Sequence, residues 1–367
     1  LFMYRILCTF AVKFYTMKLD ISYVICNADL LWKRARWNGG NVHCSCGCGD
    51  YYVLGDGRYK CKACGKVYSD TTGTLLHYTK LPKWKWLWVL YKMSTCKGVS
   101  TMELSRDICV NYSTAHLMQQ KVRYLMEVDN IKLEGDIRID EAYIGGWSDM
   151  HFSKKMSYMK KNGYLDRNGK YSKSSLLAAV SRKKHHILSL IDSTGNTKII
   201  HTPNPITSDI IKQVIDRYCI NVNMLITDES GLYRHLGYRY EQSNHSKAVF
   251  TTKSGYSSNV CENRFSWVKR KWNGIYTHTS EKYLQLYLNQ MAYMNNHIGE
   301  DNITRFNSIL SIAVSKRVTN EDIFRYDYLS RFDYIDVYKK EEQELLEVSE
   351  YLGDLVQGIT TKHKLKR

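Results

Sequence analysis

Between Gly135 and Trp147 the chain reads GDIRIDEAYIGGW. Ile137 and Ile139 alternate with Asp136, Arg138 and Asp140, which is the period of a half-buried strand. Tyr143 and Ile144 extend the run, and Gly145-Gly146 breaks it. A carboxylate in mid-strand is a strong constraint, because acidic residues are depleted in strands and lose hydration when partly buried. Taken alone, the stretch also fits an edge strand with a solvated Asp. Two later acids turn the reading toward a site.

The first of these is Asp228. Leu176–Ser181 and Ile187–Asp192 read as two strands linked by the basic run Arg182–His186. Ile206–Tyr218 has helical periodicity through Ile210, Ile211, Val214 and Ile215, and Asn223–Asp228 is a short buried strand ending in an acid. Strand, strand, strand, helix, strand is the order of a ribonuclease-H-like α/β core, with Asp140 and Asp228 on neighbouring strands. The second acid is Glu262, 34 positions after Asp228, in the helical stretch NVCENRFSWVKRKW. In such a core a helix returning across the sheet can aim a carboxylate at the other two. Three carboxylates supply hard oxygen ligands for two Mg²⁺ or Mn²⁺ ions and leave room for water and a phosphodiester. Asp140 would bridge the ions, and Asp228 and Glu262 would each favour one. Glu141 and Glu229 fall on the opposite face by strand alternation.

Upstream, Met17–Trp37 reads as a helical segment ending in Lys33-Arg34-Ala35-Arg36, and Met17 is a candidate internal start. Of the eleven Cys, five fall within Cys44–Cys64, while the rest are scattered singly, as in a reducing compartment. Cys61-Lys-Ala-Cys64-Gly65 is one half of a zinc ribbon, since a two-residue gap lets both thiolates meet one tetrahedral metal. The other half is drawn from His43, Cys44, Cys46 and Cys48, and the set adopted is Cys44, Cys46, Cys61 and Cys64. The aromatic run Trp84–Met93 reads as a packed core helix. Ser100 with Glu103 is a capping-box signature, and Ser113 can cap a second helix carrying His116, Gln119, Lys121 and Arg123. Two short helices, the second rich in base- and phosphate-capable side chains, read as a helix-turn-helix DNA-binding region, although a plain helical hairpin also fits.

The net charge is +17 and the pI about 9.2. Asn320–Val356 holds four Lys/Arg and eleven Asp/Glu, a net of −7, so the rest of the chain carries +24. A basic body points to a polyanion partner, nucleic acid before membrane, and no apolar run reaches the length of a membrane span. Trp147–Ser172, basic and aromatic, reads as a phosphate-contacting arm or a solvated loop.

Taken together, KCKACGKVYS, DTTGTLLHYTKLPKWKW, DEAYIGG, TDESGLYRHL, NHS at Asn244–Ser246, NVCENRFSWVKR and GIYTHTSEKYLQLYLNQMAYMNN resemble the insertion-sequence DDE transposases of the ISXO type, relatives of the eukaryotic Merlin elements. The resemblance runs from about Trp32 to His297. It implies a catalytic triad of Asp140, Asp228 and Glu262, two Mg²⁺ or Mn²⁺ ions per active site, a structural Zn²⁺ and cut-and-paste transposition. The implied partners are double-stranded DNA, as terminal inverted repeats and target, and a second copy of the chain in a homodimer or larger assembly. The site of action is intracellular: cytoplasm or nucleoid in a bacterium, nucleus in a eukaryote. Two departures stand out. The upstream cysteines lack the family's Cys-x-x-Cys, and Cys261 and Asn263-Arg264 flank Glu262 where an apolar residue and Gly are usual. His245, Lys269, Arg270 and Lys271 join His116, Gln119, Lys121 and Arg123 as candidate DNA contacts. The expected division is a zinc ribbon over 17–78, a helix-turn-helix-like region over 79–130, a ribonuclease-H-like domain over 131–300 and an acidic helical tail over 301–367. Competing functions are a non-catalytic DNA-binding protein derived from a transposase, and a nuclease without joining activity.

Overall fold

The computed structural model describes residues 20–38, 40–95, 97–127, 131–144, 185–203, 206–227, 231–242, 259–276 and 279–332. Helix α1 (Ile21–Trp37) starts at Asp20, whose carboxylate accepts from the Tyr23 N–H at 2.7 Å. It ends at Asn38, in the left-handed region at φ 45°. Strands β1 (Tyr51–Val53), β2 (Tyr59–Cys61) and β3 (Val67–Tyr68) form a small antiparallel sheet in that order. Then follow α2 (Lys83–Ser94), α3 (Thr101–Asp107) and α4 (Tyr112–Glu127). The expected cap of α3 forms, with Ser100 Oγ accepting from the Glu103 N–H at 3.1 Å. The second half of the chain gives β4 (Leu133–Ile144), β5 (His185–Ile191), β6 (Thr197–Thr202), α5 (Ser208–Tyr218), β7 (Cys219–Thr227) and β8 (Tyr240–Gln242). Helices α6 (Asn259–Gly274), α7 (Leu284–Asn296), α8 (Asn302–Ser315) and α9 (Asn320–Phe324) follow.

Packing divides the chain into two units, and the division is not serial. The first takes Leu1–Lys132, Thr194–Ile199 and Asn263–Tyr326; the second takes Leu133–Ser193, Ile200–Glu262 and Asp327–Arg367. In place of serial boundaries at 130 and 300, helix α8 shares a core with the N-terminal helices. Phe306, Ile309 and Leu310 pack with Trp32 of α1, Leu87 and Leu90 of α2, Leu104 of α3 and Val122 of α4. The expected tail therefore begins as core helix, and residues 333–367 lie outside the described residues.

The small sheet buries too little to stand alone. Its core is Trp37, Cys44, Tyr59, Cys61 and Tyr68. Asp70 ties this core to α1: its Oδ1 accepts from Trp37 Nε1 at 2.8 Å and from the Tyr59 hydroxyl at 3.2 Å, and its carbonyl accepts from Trp32 Nε1 at 3.0 Å.

The second unit is built on strands β5, β4, β7 and β8 of a mixed sheet of order β6-β5-β4-β7-β8, with β6 divided between the units after Ile199. Strand β4 lies at its centre, antiparallel to β5 and parallel to β7. A bulge at Glu134–Asp136 shifts its register, and Gly135 adopts φ +80° there, a conformation that favours glycine. Helix α5, capped by Thr207, buries Ile210, Ile211, Val214 and Ile215, the stripe its sequence predicts. The expected strand Ile187–Asp192 stands as His185–Ile191, starting two residues earlier inside the basic run read as a linker, and a further strand, Thr197–Thr202, follows the turn at Asp192–Asn196. The expected strand Leu176–Ser181 lies outside the described residues. Among the described residues no helix is long and apolar enough to cross a membrane.

Candidate functional site

Two groups of chemically able side chains stand out, one in each unit. In the first unit, one ligand atom from each of Cys44, Cys46, Cys61 and Cys64 lies within 4.8 Å of the others. Cys44 Sγ is 3.6 Å from Cys64 Sγ, and Cys46 Sγ is 3.6 Å from Cys61 Sγ. A disulfide would hold its sulfurs at about 2.05 Å. A tetrahedron with metal–sulfur bonds of about 2.3 Å has edges of about 3.8 Å, close to the observed spacing. The upstream turn makes the Cys-x-Cys spacing workable. The Gly47 N–H donates to the Cys44 carbonyl and the Cys44 N–H to the Cys48 carbonyl, both at 2.9 Å. On the other side, the Gly65 N–H donates to the Cys61 carbonyl, with Gly65 at φ +70°. The Cys64 N–H, followed by that of Ala63, faces the Cys61 sulfur and pulls its thiol down to about 6, while at Cys46 the Cys48 backbone is outweighed by the neighbouring sulfurs, which push the thiol up to about 12. His43 is exposed and packs edge-on against Trp37, and Cys48 bonds to the Asp50 backbone; neither joins the group of four.

In the second unit, Asp140 is half-buried in the C-terminal half of β4, paired in register with Ser189 of β5. Its Oδ1 accepts from the Glu141 N–H at 2.8 Å. Residues directly opposite on antiparallel strands share a face. On that face Ser189 is fully buried, and its hydroxyl has no partner among the described residues. A buried polar atom of this kind beside a carboxylate suits a site that takes in water or an ion. Asp228 and His245 lie outside the described residues, and Glu262 is described only as a position in α6.

A feature that residue-type reasoning passed over flanks Asp140. Glu141, on the opposite face, accepts from the Tyr233 hydroxyl at 2.8 Å. Its other oxygen is 3.9 Å from Nε2 of the buried His186, beyond direct hydrogen-bond reach. Burial alone would raise the Glu141 carboxyl; His186 and Tyr233 outweigh it and hold the group below its ordinary value. His186 Nδ1 in turn meets Thr202 Oγ1 at 2.5 Å. This chain clamps three strands and the turn at Gly231–Tyr233 around the residue next to Asp140. The doublet His185-His186 was its only signal in the sequence.

Residues 132–296, from the start of β4 through α7, match the model of the ISXO2-like transposase domain. An uncharacterized protein in transposable element ISH50 of Halobacterium salinarum is 32% identical over 124 residues; the alignment spans 32% of this chain and only 40% of that relative's length.

The expected DNA-contacting residues fall into two groups. Those on α4, upstream of the matched residues, are largely withdrawn from solvent. Gln119 is 0% exposed; it donates to the Val99 carbonyl and accepts from the Thr101 hydroxyl. Arg123 is 1% exposed; its Nε donates to Gln290 Oε1 at 2.9 Å, and its guanidinium lies 3.7 Å from the Tyr287 ring centroid. Half-buried His116 meets Gln120 at 2.9 Å, and burial, then Arg123, holds its pKa below the usual value. A helix that reads a groove needs an exposed face. From Ala115 to Glu127 none of the residues of α4 is fully exposed, so Gln119 and Arg123 serve the core. Lys121 is half-buried. Within the matched residues the picture reverses: Lys269 and Arg270 on α6 are exposed, while Lys271 donates to the Lys97 carbonyl at 2.6 Å.

Proposed function

We propose that this chain is a DNA transposase that binds the ends of its element, cuts a phosphodiester to expose a 3′-hydroxyl, and joins that end to target DNA. One observation carries the reading. In the parallel pair of β4 and β7 the last described partners are Arg138 and Ile226, two residues before Asp140 on one strand and two before position 228 on the other. Continued register would bring both acids to one end of the sheet. The strand order and directions, and the domain match, support a ribonuclease-H-like core with Asp140, Asp228 and Glu262 as its carboxylates. Mg²⁺ or Mn²⁺ held by these acids would supply the Lewis acid that stabilises charge on the attacking and leaving oxygens. The Tyr233–Glu141–His186 chain positions Asp140, and exposed Lys269 and Arg270 take DNA phosphates, with Lys271 and His245 in supporting roles.

Asp140→Asn and Asp228→Asn should each lower cleavage and joining by about 10³-fold or more, since several kcal/mol of charge stabilisation is lost. Binding to the element's repeats should stay within a few-fold. The test is a gel shift beside a Mg²⁺-dependent cleavage assay on the same proteins. Loss of binding and cleavage together in a folded Asp228→Asn protein would make the acid structural. Binding by the wild type without cutting would favour a DNA-binding protein that has given up catalysis.

The sulfur group, in this reading, holds one zinc ion that organises the ribbon in place of a larger core. Elemental analysis should find about one zinc per chain. Cys61→Ser with Cys64→Ser should lose it and weaken repeat binding, while circular dichroism of the sheet persists. Metal-free protein with full repeat affinity would overturn this assignment.

A further inference from the structure

The first unit holds a cleft of about 380 Å³ that neither the sulfur group nor the carboxylates use. Its walls include Tyr78, Lys121, Arg317, His77, Thr114 and Asn320. Tyr78 belongs to the DTTGTLLHYTKLPKWKW segment, whose role the zinc and acid sites leave unexplained.

Three features of this cleft converge. Tyr78 is 86% exposed, more than any other large apolar side chain described, yet it is held in place. Its backbone sits at φ 58°, a conformation that bulky residues rarely adopt. The turn that imposes it is braced on both sides. The Gly73 N–H donates to His77 Nδ1, the Trp86 indole donates to Thr79 Oγ1 at 3.0 Å, and the Leu75 N–H donates to the Ala313 carbonyl. The His77 ring lies against the Tyr78 ring at 4.0 Å between centroids. Second, the guanidinium of Arg317 is 5.8 Å from the Tyr78 centroid, and neither Arg317 nor Lys121 has an ion pair or hydrogen bond among the described residues. The Asp322 carboxylate, the acid acting on Lys121, is engaged by Thr319 in a capping box. Third, the volume lies at the small end of ligand pockets, so it suits one base with its sugar and excludes a duplex.

We propose that this cleft binds one unpaired nucleotide of a DNA strand, its base stacked on Tyr78 and its phosphate taken by Lys121 and Arg317. An exposed aromatic offers every base a π-face, and two cations at its edge supply the backbone term. A base that enters must leave its own stack, which is least demanding at a strand end or in single-stranded DNA. The proposal rests on DNA being the substrate, and it places a strand-end contact in the first unit.

The test uses the full chain without Mg²⁺ and a single-stranded 12-mer carrying one 2-aminopurine. The fluorescence of that base should change on binding to the wild type. Tyr78→Gly should weaken binding about fivefold or more and remove the fluorescence change, since base–aromatic stacking is of that order. Gly favours the backbone conformation Tyr78 strains to adopt, so this variant should melt no lower than the wild type, and its loss of binding cannot be blamed on misfolding. Tyr78→Phe should bind as the wild type. Arg317→Ala and Lys121→Ala should each lower the salt slope by roughly one. Unchanged binding by Tyr78→Gly and Arg317→Ala would overturn the proposal. So would displacement by dTMP as strong as by the oligonucleotide, which would make this a mononucleotide site. Metal-dependent cleavage with unaltered variants would sink this proposal alone; altered variants in a protein that never cuts DNA would sink the transposase reading alone.

Discussion

Helices α4 and α6 look alike as sequences, since each mixes cations and amides with an apolar stripe. Folded, they part company. On α4, Ala115, Met118, Val122, Leu125 and Met126 are buried, and so are Gln119, Gln120 and Arg123. On α6, Phe265, Val268 and Trp272 are buried, while Asn263, Ser266, Lys269, Arg270 and Asn273 are exposed. The difference lies in the neighbours. Helices α2, α3, α7, α8 and α9 all pack against α4. Polar side chains caught inside such a bundle survive only by finding partners. Arg123 finds Gln290 and the Tyr287 ring, and Gln119 finds Val99 and Thr101. A cation in a helix sequence thus marks a DNA-facing surface only where the bundle leaves that face open.

The largest effect expected from this contrast is on stability. Arg123→Ala should lose roughly 3 kcal/mol, from a charged hydrogen bond and a desolvated cation–π contact, with an unchanged salt slope for DNA binding below its melting point. Thermal melts beside salt titrations would show it; a variant with wild-type melting and a reduced slope would put Arg123 on DNA and break the contrast. Next in size is a binding effect. Lys269→Ala with Arg270→Ala should leave stability within about 0.5 kcal/mol and lower the salt slope by about 2. An unaltered slope would move the DNA surface elsewhere. The smallest is a pH effect. The unfolded chain protonates His116 near 6.5, whereas the folded ring resists protonation. Its share of stability is therefore full above 6.5 and falls away as the pH drops through the lower folded value. Denaturation midpoints between pH 7 and 5 should fall less steeply in His116→Gln than in the wild type; equal slopes would place His116 in solvent.

Much of this molecule could be read from local pattern. The stripe of α5 and the alternation of Asp136–Ile144 each required a single period, and both elements stand where the pattern put them. The cysteine set was legible in its downstream half from the two-residue gap. Its upstream half depended on the turn through Gly47, which no spacing rule supplies. Strand β6 was missed although Ser193-Thr194-Gly195-Asn196 is an ordinary turn signal, and His185 and His186, read as the end of a linker, already belong to β5. The fates of Gln119 and Arg123 were not legible at all. Gln119 depends on how Val99 and Thr101 close onto it, and Arg123 depends on Gln290 and Tyr287, more than 150 residues away in the chain.

Asp70 draws helix α1 and the ribbon into a single bargain with solvent. Trp32 and Trp37 reach it from the helix and Tyr59 from the sheet, and Trp37 also covers the sulfur core. A fragment trimmed to begin at the ribbon would keep all four cysteines, yet it would bare their indole roof and leave the Asp70 oxygen short of a donor. Such a fragment should surrender its metal to a competing chelator sooner than the longer chain does. The boundary of the metal-binding module thus lies upstream of its first ligand, at the N-terminal end of α1.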